Sequence, residues 1–364
     1  MIIIYLGRRG GGSQLLMSAL LGLEDSKCVS QVWISESNED LDYLKSRNYN
    51  LRIFSVAHSF RSLISPFVLF RFVVTLFELL WFTSISSSKI FVQIMPSPLD
   101  IVIDVAARLR NRYVVRVIHD FKNHPGEKWP TESAIEIRAR FATHIVVFSK
   151  YVLENLSNIE KKISFVTNLP STLVIHGDVG EEVSIFGRRL LDSSLPVVLV
   201  IGRAHSYKGH KFLDKLSKEL SQTCIFVIAG EGIQDSLESD NMVLINKWLS
   251  DAEFDHLLDI SQIVLFPYTE ASQSGTIPLA RAKGKFIICS DKGGLPEQVD
   301  GYQDAIVLKK IDLVSIEAGV RTALSQISKG TSGKSESFGS LKSPHTYSHP
   351  NLYEVLLKIC NFEE

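Results

Sequence analysis

Eleven short apolar runs, rich in β-branched residues and separated by helical stretches, constrain the fold of this chain more than any other feature. They are Ile2–Leu6, Val32–Ser35, Leu51–Val56, Ile90–Ile94, Tyr113–His119 and His144–Phe148, then Val197–Ile201, Ile225–Ala229, Met242–Ile245, Ile263–Phe266 and Phe286–Cys289. Short apolar strands alternating with helices belong to parallel sheets covered on both faces. The first set ends near Val166, and the polar, glycine-containing stretch Thr167 to Pro196 separates it from the second. At 364 residues the chain also exceeds the size at which one core stops growing. The reading is an α/β fold of two Rossmann-like, doubly wound domains, residues 1–170 and 171–340. A helix with apolar spacing in "NLYEVLLKIC" follows a Ser-, Gly- and Lys-rich surface loop (325–344), and residues 341–364 are expected to pack back on the first domain.

The formal net charge of −1 gives no global attraction to nucleic acid or anionic lipid, and no nucleic-acid partner is expected. Cys28, Cys224, Cys289 and Cys360 are scattered without a CxxC pair, which suits a reducing cytoplasm and argues against zinc. "MIIIYLG" lacks the features of a signal peptide and reads as a first strand. "FVLFRFVVTLFELLWF" (67–82) falls short of the ~20 residues needed to cross a bilayer. Arg71, Thr75 and Glu78 should form one polar stripe on it. It is expected to be buried against a sheet, and the alternative is peripheral contact with the inner face of the membrane.

In doubly wound sheets ligands bind beyond the carboxyl ends of the strands, so the loops there are the places to search. "GRRGGGSQ" (7–14) follows the first run. Gly10, Gly11 and Gly12 would let the backbone approach a ligand, and the following helix N-terminus favours an anion. With Glu36 lying 24 residues after Gly12, this loop would equally suit a nicotinamide cofactor. "VIHDFKNHPGEK" (117–128) concentrates His119, Asp120 and His124 at one strand end; imidazole there can donate to a sugar hydroxyl or exchange a proton. "VLVIGRAHSYKGHKFLDKL" (198–216) sets Gly202, Arg203 and Lys208 before a helix. A forked guanidinium and a mobile ammonium are what a diphosphate needs. "IAGEG" (228–232) adds Gly230 and Glu231 in another turn. In "PYTEASQSGTIPLARAKG" (267–284), Ser274, Gly275 and Thr276 would offer amides at a helix start, with Glu270 as a hydroxyl acceptor. "SDKGGLPEQV" (290–299) follows one strand later.

Taken together, G-R-x4-K-G after a strand, A-G-E-G after the next, S-Q-S-G-T-x-P-L-A and G-G-L-P-E resemble glycosyltransferase family 4. The N-terminal glycine loop and the H-D turn fit the same family, so the resemblance covers nearly the whole chain. It implies the GT-B fold, two Rossmann-like domains facing across a cleft, and retaining sugar transfer that needs neither metal nor cofactor. The donor would be a nucleotide-sugar. The acceptor would be a glycan or lipid-linked sugar, as in bacterial surface polysaccharide biosynthesis. The resemblance implies catalytic roles for Arg203, Lys208, His119 and Glu270, and a nucleobase loop around Trp248 in "NKWLSD". Many members carry two glutamates eight positions apart here. This chain departs from that pattern: Pro278 stands eight residues after Glu270, and counting back from Gly284 places the second acid at Leu279 and the first at Ala271. Ribose holding by the second glutamate is therefore not expected.

Two other functions fit parts of the sequence. An NAD-dependent oxidoreductase would use the first glycine loop and Glu36 but leave Arg203, Lys208 and the S-Q-S-G stretch idle. A non-catalytic nucleotide-sugar-binding relative would explain the missing second glutamate.

Overall fold

The computed structural model describes the chain apart from residues 57–65, 124–129, 157–161, 176, 192, 234–238, 331–348 and 364. Two compact units are built from it, one drawn from Met1–Asn123, Lys128–Pro170 and Ser348–Glu364, the other chiefly from Ser171–Tyr347. The strands of the first are β1 (Ile2–Tyr5), β2 (Gln31–Ser35), β3 (Leu51–Phe54), β4 (Ile90–Gln93), β5 (Tyr113–Ile118), β6 (His144–Val147) and β7 (Ile163–Val166). Those of the second are β8 (Val197–Ile201), β9 (Ile225–Ala229), β10 (Met242–Ile245), β11 (Ile263–Phe266), β12 (Phe286–Ser290) and β13 (Ala305–Leu308).

Every strand pair is parallel. The orders are β3-β2-β1-β4-β5-β6-β7 and β10-β9-β8-β11-β12-β13. Both reverse direction after their first three strands, at β1/β4 and at β8/β11, as in the Rossmann arrangement. This is the expected fold class, two Rossmann-like α/β units. The runs lack polar alternation because both faces are covered. In the second sheet Leu199, Val227, Val264 and Ile287 point into one core, while their neighbours Val198, Phe226, Ile263 and Phe286 point into the other. Helices Asp251–Ile260 and Thr276–Ala282 close the first core; Leu213–Glu219 and Leu313–Ser328 close the second.

Two edge strands, β7 and β13, are additional to the eleven runs. Ile163 at the start of β7 is 53% exposed, as a half-covered edge strand allows, whereas β13 reads Ala-Ile-Val-Leu and is as apolar as a central strand although the eleven runs do not include it. All four cysteines are buried, and burial pushes the thiols of Cys224 and Cys289 up to about 12. They behave as small core residues.

Within the first unit the last helix, Leu352–Glu363, buries Val355, Leu356, Ile359 and Cys360 and packs against the first helix, Gly11–Leu23. Gly22 makes that crossing close: a Cβ there would lie 2.3 Å from the Tyr353 ring. Thr167 Oγ1 donates to the Pro350 carbonyl at 2.7 Å, tying the approach to this helix to the end of β7.

Helix Pro66–Ile85 runs 20 residues, longer than the apolar run implied, and departs from its expected setting. Thr75 is buried, its hydroxyl donating to the Ser55 carbonyl at 2.8 Å. Arg71 pairs with Glu36 at 3.0 Å, and Glu78 faces solvent, so the three residues do not form one outward stripe. Most of the helix's apolar residues are exposed rather than set against the sheet.

Candidate functional site

In the second unit, the turns after β8, β9 and β11 meet at the carboxyl ends of their strands. Gly202 follows β8 with φ +111°, and its amide donates to the Ala229 carbonyl at 2.9 Å. Gly230 follows β9 with φ +146°, and a Cβ on it would lie 2.3 Å from the Gly202 carbonyl oxygen. Only glycine fits where two backbones approach so closely. The Ala204 amide donates to the Glu231 carbonyl at 2.9 Å, completing the join.

Arg203 projects from this turn and is exposed; Lys208 follows five residues later on a short 3-10 turn, Ser206–Lys208. The turn ends at Gly209, φ +76°, where a Cβ would sit 2.1 Å from the Pro267 carbonyl oxygen. Thr269 returns the contact: its amide donates to the Tyr207 carbonyl at 2.7 Å. Lys208 Nζ lies 5.5 Å from the centre of the Tyr268 ring, and Tyr207 meets Tyr268 edge-on at 6.0 Å. The loops after β8 and β11, the two strands at the point where the order reverses, are thus joined into one platform carrying both cations. His210 beside it is pushed down to about 4 by burial, then by the charges of Lys208 and His205, so it stays neutral at pH 7.

Helix Thr276–Ala282 begins at this platform, with Gly275 as its exposed N-terminal flank and Thr276 buried. Ser274 is placed differently from the expectation. Its amide donates to Gln298 Oε1 at 2.8 Å, and Gln298 Nε2 donates back to the Ser274 carbonyl at 2.9 Å. That amide is committed within the protein. Glu270 is half-buried on the loop before it. Pro278 and Leu279, the two countings of the second acid position, are buried and apolar, and so is Ala271, the first position by the second count.

The turn holding Gly230 and Glu231 is fixed by a residue the sequence reading passed over. Asn246 Oδ1 accepts from the amides of Gly232 and Ile233 at 3.0 and 3.1 Å, and its Nδ2 donates to the Ile233 carbonyl at 2.9 Å. An Asn directly after an apolar run was the available signal, because its side chain can accept from a neighbouring turn. Trp248 follows on the same segment, half-buried, just before helix Asp251–Ile260 with its Ser250/Glu253 capping box.

In the first unit, candidate residues gather at the carboxyl ends of β1, β4 and β5. Gly10, φ +88°, precedes helix Gly11–Leu23. Its amide is already bound by the Glu39 carboxylate at 2.5 Å, so the anion at this helix start is one of the protein's own. Ser13 donates to Asp40, and the Glu39 amide donates to the Arg8 carbonyl at 2.8 Å, which closes the loop further. Gly7 and Gly12 have a packing reason to be glycine. A Cβ on either would collide with the Tyr5 ring, and one on Gly12 would lie 2.6 Å from Met95. Burial, then the Glu39 and Asp40 carboxylates, push the Tyr5 hydroxyl well above its ordinary value.

His119 directly follows β5, half-buried, with Nε2 3.3 Å from the Ile94 carbonyl and its ring 4.9 Å from Phe148. Burial lowers its pKa; Asp120 and the Ile94 carbonyl oppose the shift. Its neutral form therefore dominates at pH 7, with the N–H on the Nε2 that faces the Ile94 carbonyl, which leaves Nδ1 to accept from a sugar hydroxyl. Asp120 lies beside it, also half-buried; His124 falls outside the described residues. Glu36, the residue a nicotinamide cofactor would need for its ribose, accepts from Ser55 at 2.6 Å and pairs with Arg71. Among the described residues no group of three or more His, Cys, Asp or Glu side chains is arranged to hold a metal ion.

The segment carrying the Arg203–Lys208 platform is also the one with a family match. Residues 195–326 match the profile of the family described as Glycosyl transferases group 1. Comparison with curated protein sequences gives no match. Among solved structures, Anabaena HepE in complex with UDP and glucose is similar with TM-score 0.66 and 13% identity, over 91% of each chain. Sucrose-phosphate synthase from Thermosynechococcus elongatus is similar with TM-score 0.65 and 13% identity, also over 91% of each. The UDP-GlcNAc 2-epimerase from Neisseria meningitidis bound to UDP-GlcNAc aligns over 100% of both chains, with TM-score 0.61 and 15% identity. At such identities these likenesses establish a shared fold, the two Rossmann-like units of the GT-B class, and the profile match ties residues 195–326 to the group 1 glycosyl transferases in sequence.

Proposed function

We propose that the protein transfers a sugar from a nucleotide-sugar to a glycan or lipid-linked acceptor with retention, without a metal ion or cofactor, in building a bacterial surface polysaccharide. The observation that carries this reading is the platform of Arg203 and Lys208 at the β8/β11 reversal, within the segment that matches group 1 glycosyl transferases. Two cations with an aromatic neighbour at a strand-order reversal suit a diphosphate. Uridine nucleotides are the first donors to test, because HepE and the epimerase were crystallised with UDP or UDP-GlcNAc.

In this mechanism the bond from the sugar's anomeric carbon to the diphosphate oxygen breaks as the acceptor oxygen attacks from the same face. The acceptor's proton passes to the departing phosphate oxygen, so no protein base is required. The protein's work is orientation and stabilisation of charge building on phosphate. Arg203 supplies forked donors and Lys208 a point charge. Gly275 and Thr276 stand at the helix start, with the Ser274 amide held by Gln298. Neutral His119, its N–H turned to the Ile94 carbonyl and Asp120 beside it, accepts at Nδ1 from a hydroxyl of the transferred sugar, and Glu270 accepts from its other hydroxyls. Gly202, Gly230 and Glu231 shape the floor of the donor pocket, and Trp248 packs against the base. Gly11 and Gly12 line the acceptor side, where the Gly10 amide is held by Glu39.

Turnover is expected to be complete in excess chelator. It is measured by nucleotide release and by the anomeric configuration of the product across a nucleotide-sugar panel. Activity abolished by the chelator and restored by magnesium or manganese would overturn the metal-free mechanism. Formation of an epimerised nucleotide-sugar, or of the epimerised free sugar by added hydrolysis, with no acceptor glycoside would support an epimerase instead, a reading prompted by the likeness to that fold.

A further inference from the structure

Helix Pro66–Ile85 buries its two threonines and turns most of its large apolar residues outward. The line Phe72, Thr75, Leu76, Leu79 and Thr83 faces the protein, with Thr75, Leu79 and Thr83 buried. The line Phe67, Phe70, Val74, Phe77, Trp81 and Ile85, spaced by three and four residues, faces out; Phe77 is 69% and Trp81 62% exposed. The neighbouring helix, Asp100–Leu109, packs alongside and exposes Ile101, Val105 and Leu109. Leu109 is 78% exposed. A lone exposed leucine means nothing, but two adjoining helices showing this many large apolar groups form a patch with a use.

The patch is bordered by cations at one end. Arg110 lines a groove with Phe77, Glu78, Trp81 and Ile85, and its guanidinium donates to the Ser84 carbonyl at 3.0 Å. Arg112 donates to the Thr83 and Ser86 carbonyls, closing the C-terminus of helix Pro66–Ile85. Like charges crowd there. Burial, then Arg110, lowers the pKa of Arg112; burial, then Arg108, lowers that of Lys162. Arg108 and Arg110 are exposed and form no ion pair among the described residues. Of the acids on the two helices, Asp100 and Asp104 are buried with Arg116, which leaves Glu78.

We propose that this two-helix face lies on an anionic lipid surface, with the aromatic and aliphatic line at the acyl boundary and Arg108 and Arg110 among the headgroups. Phosphate headgroups supply the opposite charge to the rim, whereas a second copy of this chain would bring the same arginines and only Glu78 to meet them. Among the described residues, helix Phe67–Ile85 is long and apolar enough to cross a membrane. It lies along the surface instead, because Thr75, Leu79 and Thr83 are fixed in the core and Arg112 holds its end. An interfacial helix with aromatic residues and basic flanks binds by apolar burial plus attraction to anionic lipid. The inference is independent of the transfer reading, since no donor-binding residue takes part.

The full-length protein is floated with phosphatidylcholine vesicles, with and without phosphatidylglycerol, at low and high salt. Flotation is expected with phosphatidylglycerol and should weaken in salt. The double variant Phe77→Glu/Trp81→Glu should reduce the bound fraction at least about tenfold, since both side chains would leave the acyl boundary. Arg108→Glu should remove the preference for anionic vesicles while retaining the residual apolar binding. Melting temperatures and UDP binding of all variants should match wild type, because the altered side chains are exposed. Absence of flotation from both vesicle types would overturn the proposal. So would a stable dimer, broken by Phe77→Glu, that does not bind vesicles; a second copy would then cover the face.

Discussion

Arg203→Ala and Lys208→Ala are each expected to lower kcat about a hundredfold, on the order of 3 kcal/mol of transition-state stabilisation, while raising the donor KM much less. The intact donor carries less charge on its diphosphate than the diphosphate does as the glycosidic bond breaks. Groups that answer the added charge therefore act on the rate more than on ground-state binding. Arg203→Lys should fail as well, because a point charge does not replace a fork. Lys211→Ala and Lys215→Ala provide the control. Both side chains are exposed, on helical turns beyond the Gly209 bend, and their removal costs the chain the same net charge. These two should stay within about twofold of wild type, as surface substitutions away from a site do. Steady-state transfer kinetics and melting temperatures of all five variants decide it. Normally folded Arg203→Ala and Lys208→Ala proteins with near wild-type kcat would place the diphosphate elsewhere.

The second large effect comes from a residue with no side chain. Gly209→Ala puts a methyl group 2.1 Å from the Pro267 carbonyl oxygen, at a backbone φ of +76°. Neither partner is the end of a flexible side chain, so the β8 and β11 loops must separate. A non-glycine residue in this region costs about 1–3 kcal/mol, and forced overpacking about as much again. The expected outcome is a stability loss on the order of 2–6 kcal/mol in denaturant unfolding of the second unit, by those same terms. Transfer should fall with it, since Lys208 precedes the bend directly and Thr269 follows Pro267 by two residues. A Gly209→Ala protein with wild-type stability and kinetics would show that the loops are not held together at this point. Gly301, φ +66° with nothing within 4 Å of its Cβ position, is the comparison site where only the backbone strain applies.

Much of the fold was legible because central parallel strands are covered on both faces. Val198 and Leu199, for example, enter opposite cores, so both must be apolar. The signal for β7 was weaker because an edge strand needs only partial cover and Ile163 stays exposed, whereas β13, Ala-Ile-Val-Leu, was legible and passed over. Helix Pro66–Ile85 was misread for a related reason. Periodicity marks which residues share a face, but not which face meets protein, and here Thr75 finds a backbone acceptor inside while Phe77 and Trp81 stay outside. At the site, Arg203, Lys208, Gly202 and Gly230 could be read locally, since charge and glycine at a strand end follow from the sequence around them. The commitments of Gly10 to Glu39 and Ser274 to Gln298 could not. Each joins residues 29 or 24 positions apart, and a sequence does not display which amide already has an acceptor. Asn246 belongs with them: its type was visible, its partners at Gly232 and Ile233 were not.

Calorimetric titration of the full-length protein with UDP, in excess chelator, tests the central claim most directly, because the released diphosphate carries the charge that Arg203 and Lys208 are assigned to meet. Saturable binding at one site is expected for wild type. Arg203→Ala and Lys208→Ala should each weaken it on the order of tenfold or more, as the loss of a charged hydrogen bond does, and Lys211→Ala and Lys215→Ala should leave it unchanged. Wild-type affinity for UDP in both Arg203→Ala and Lys208→Ala, or no binding of UDP or any other nucleoside diphosphate to the wild-type protein, would contradict it.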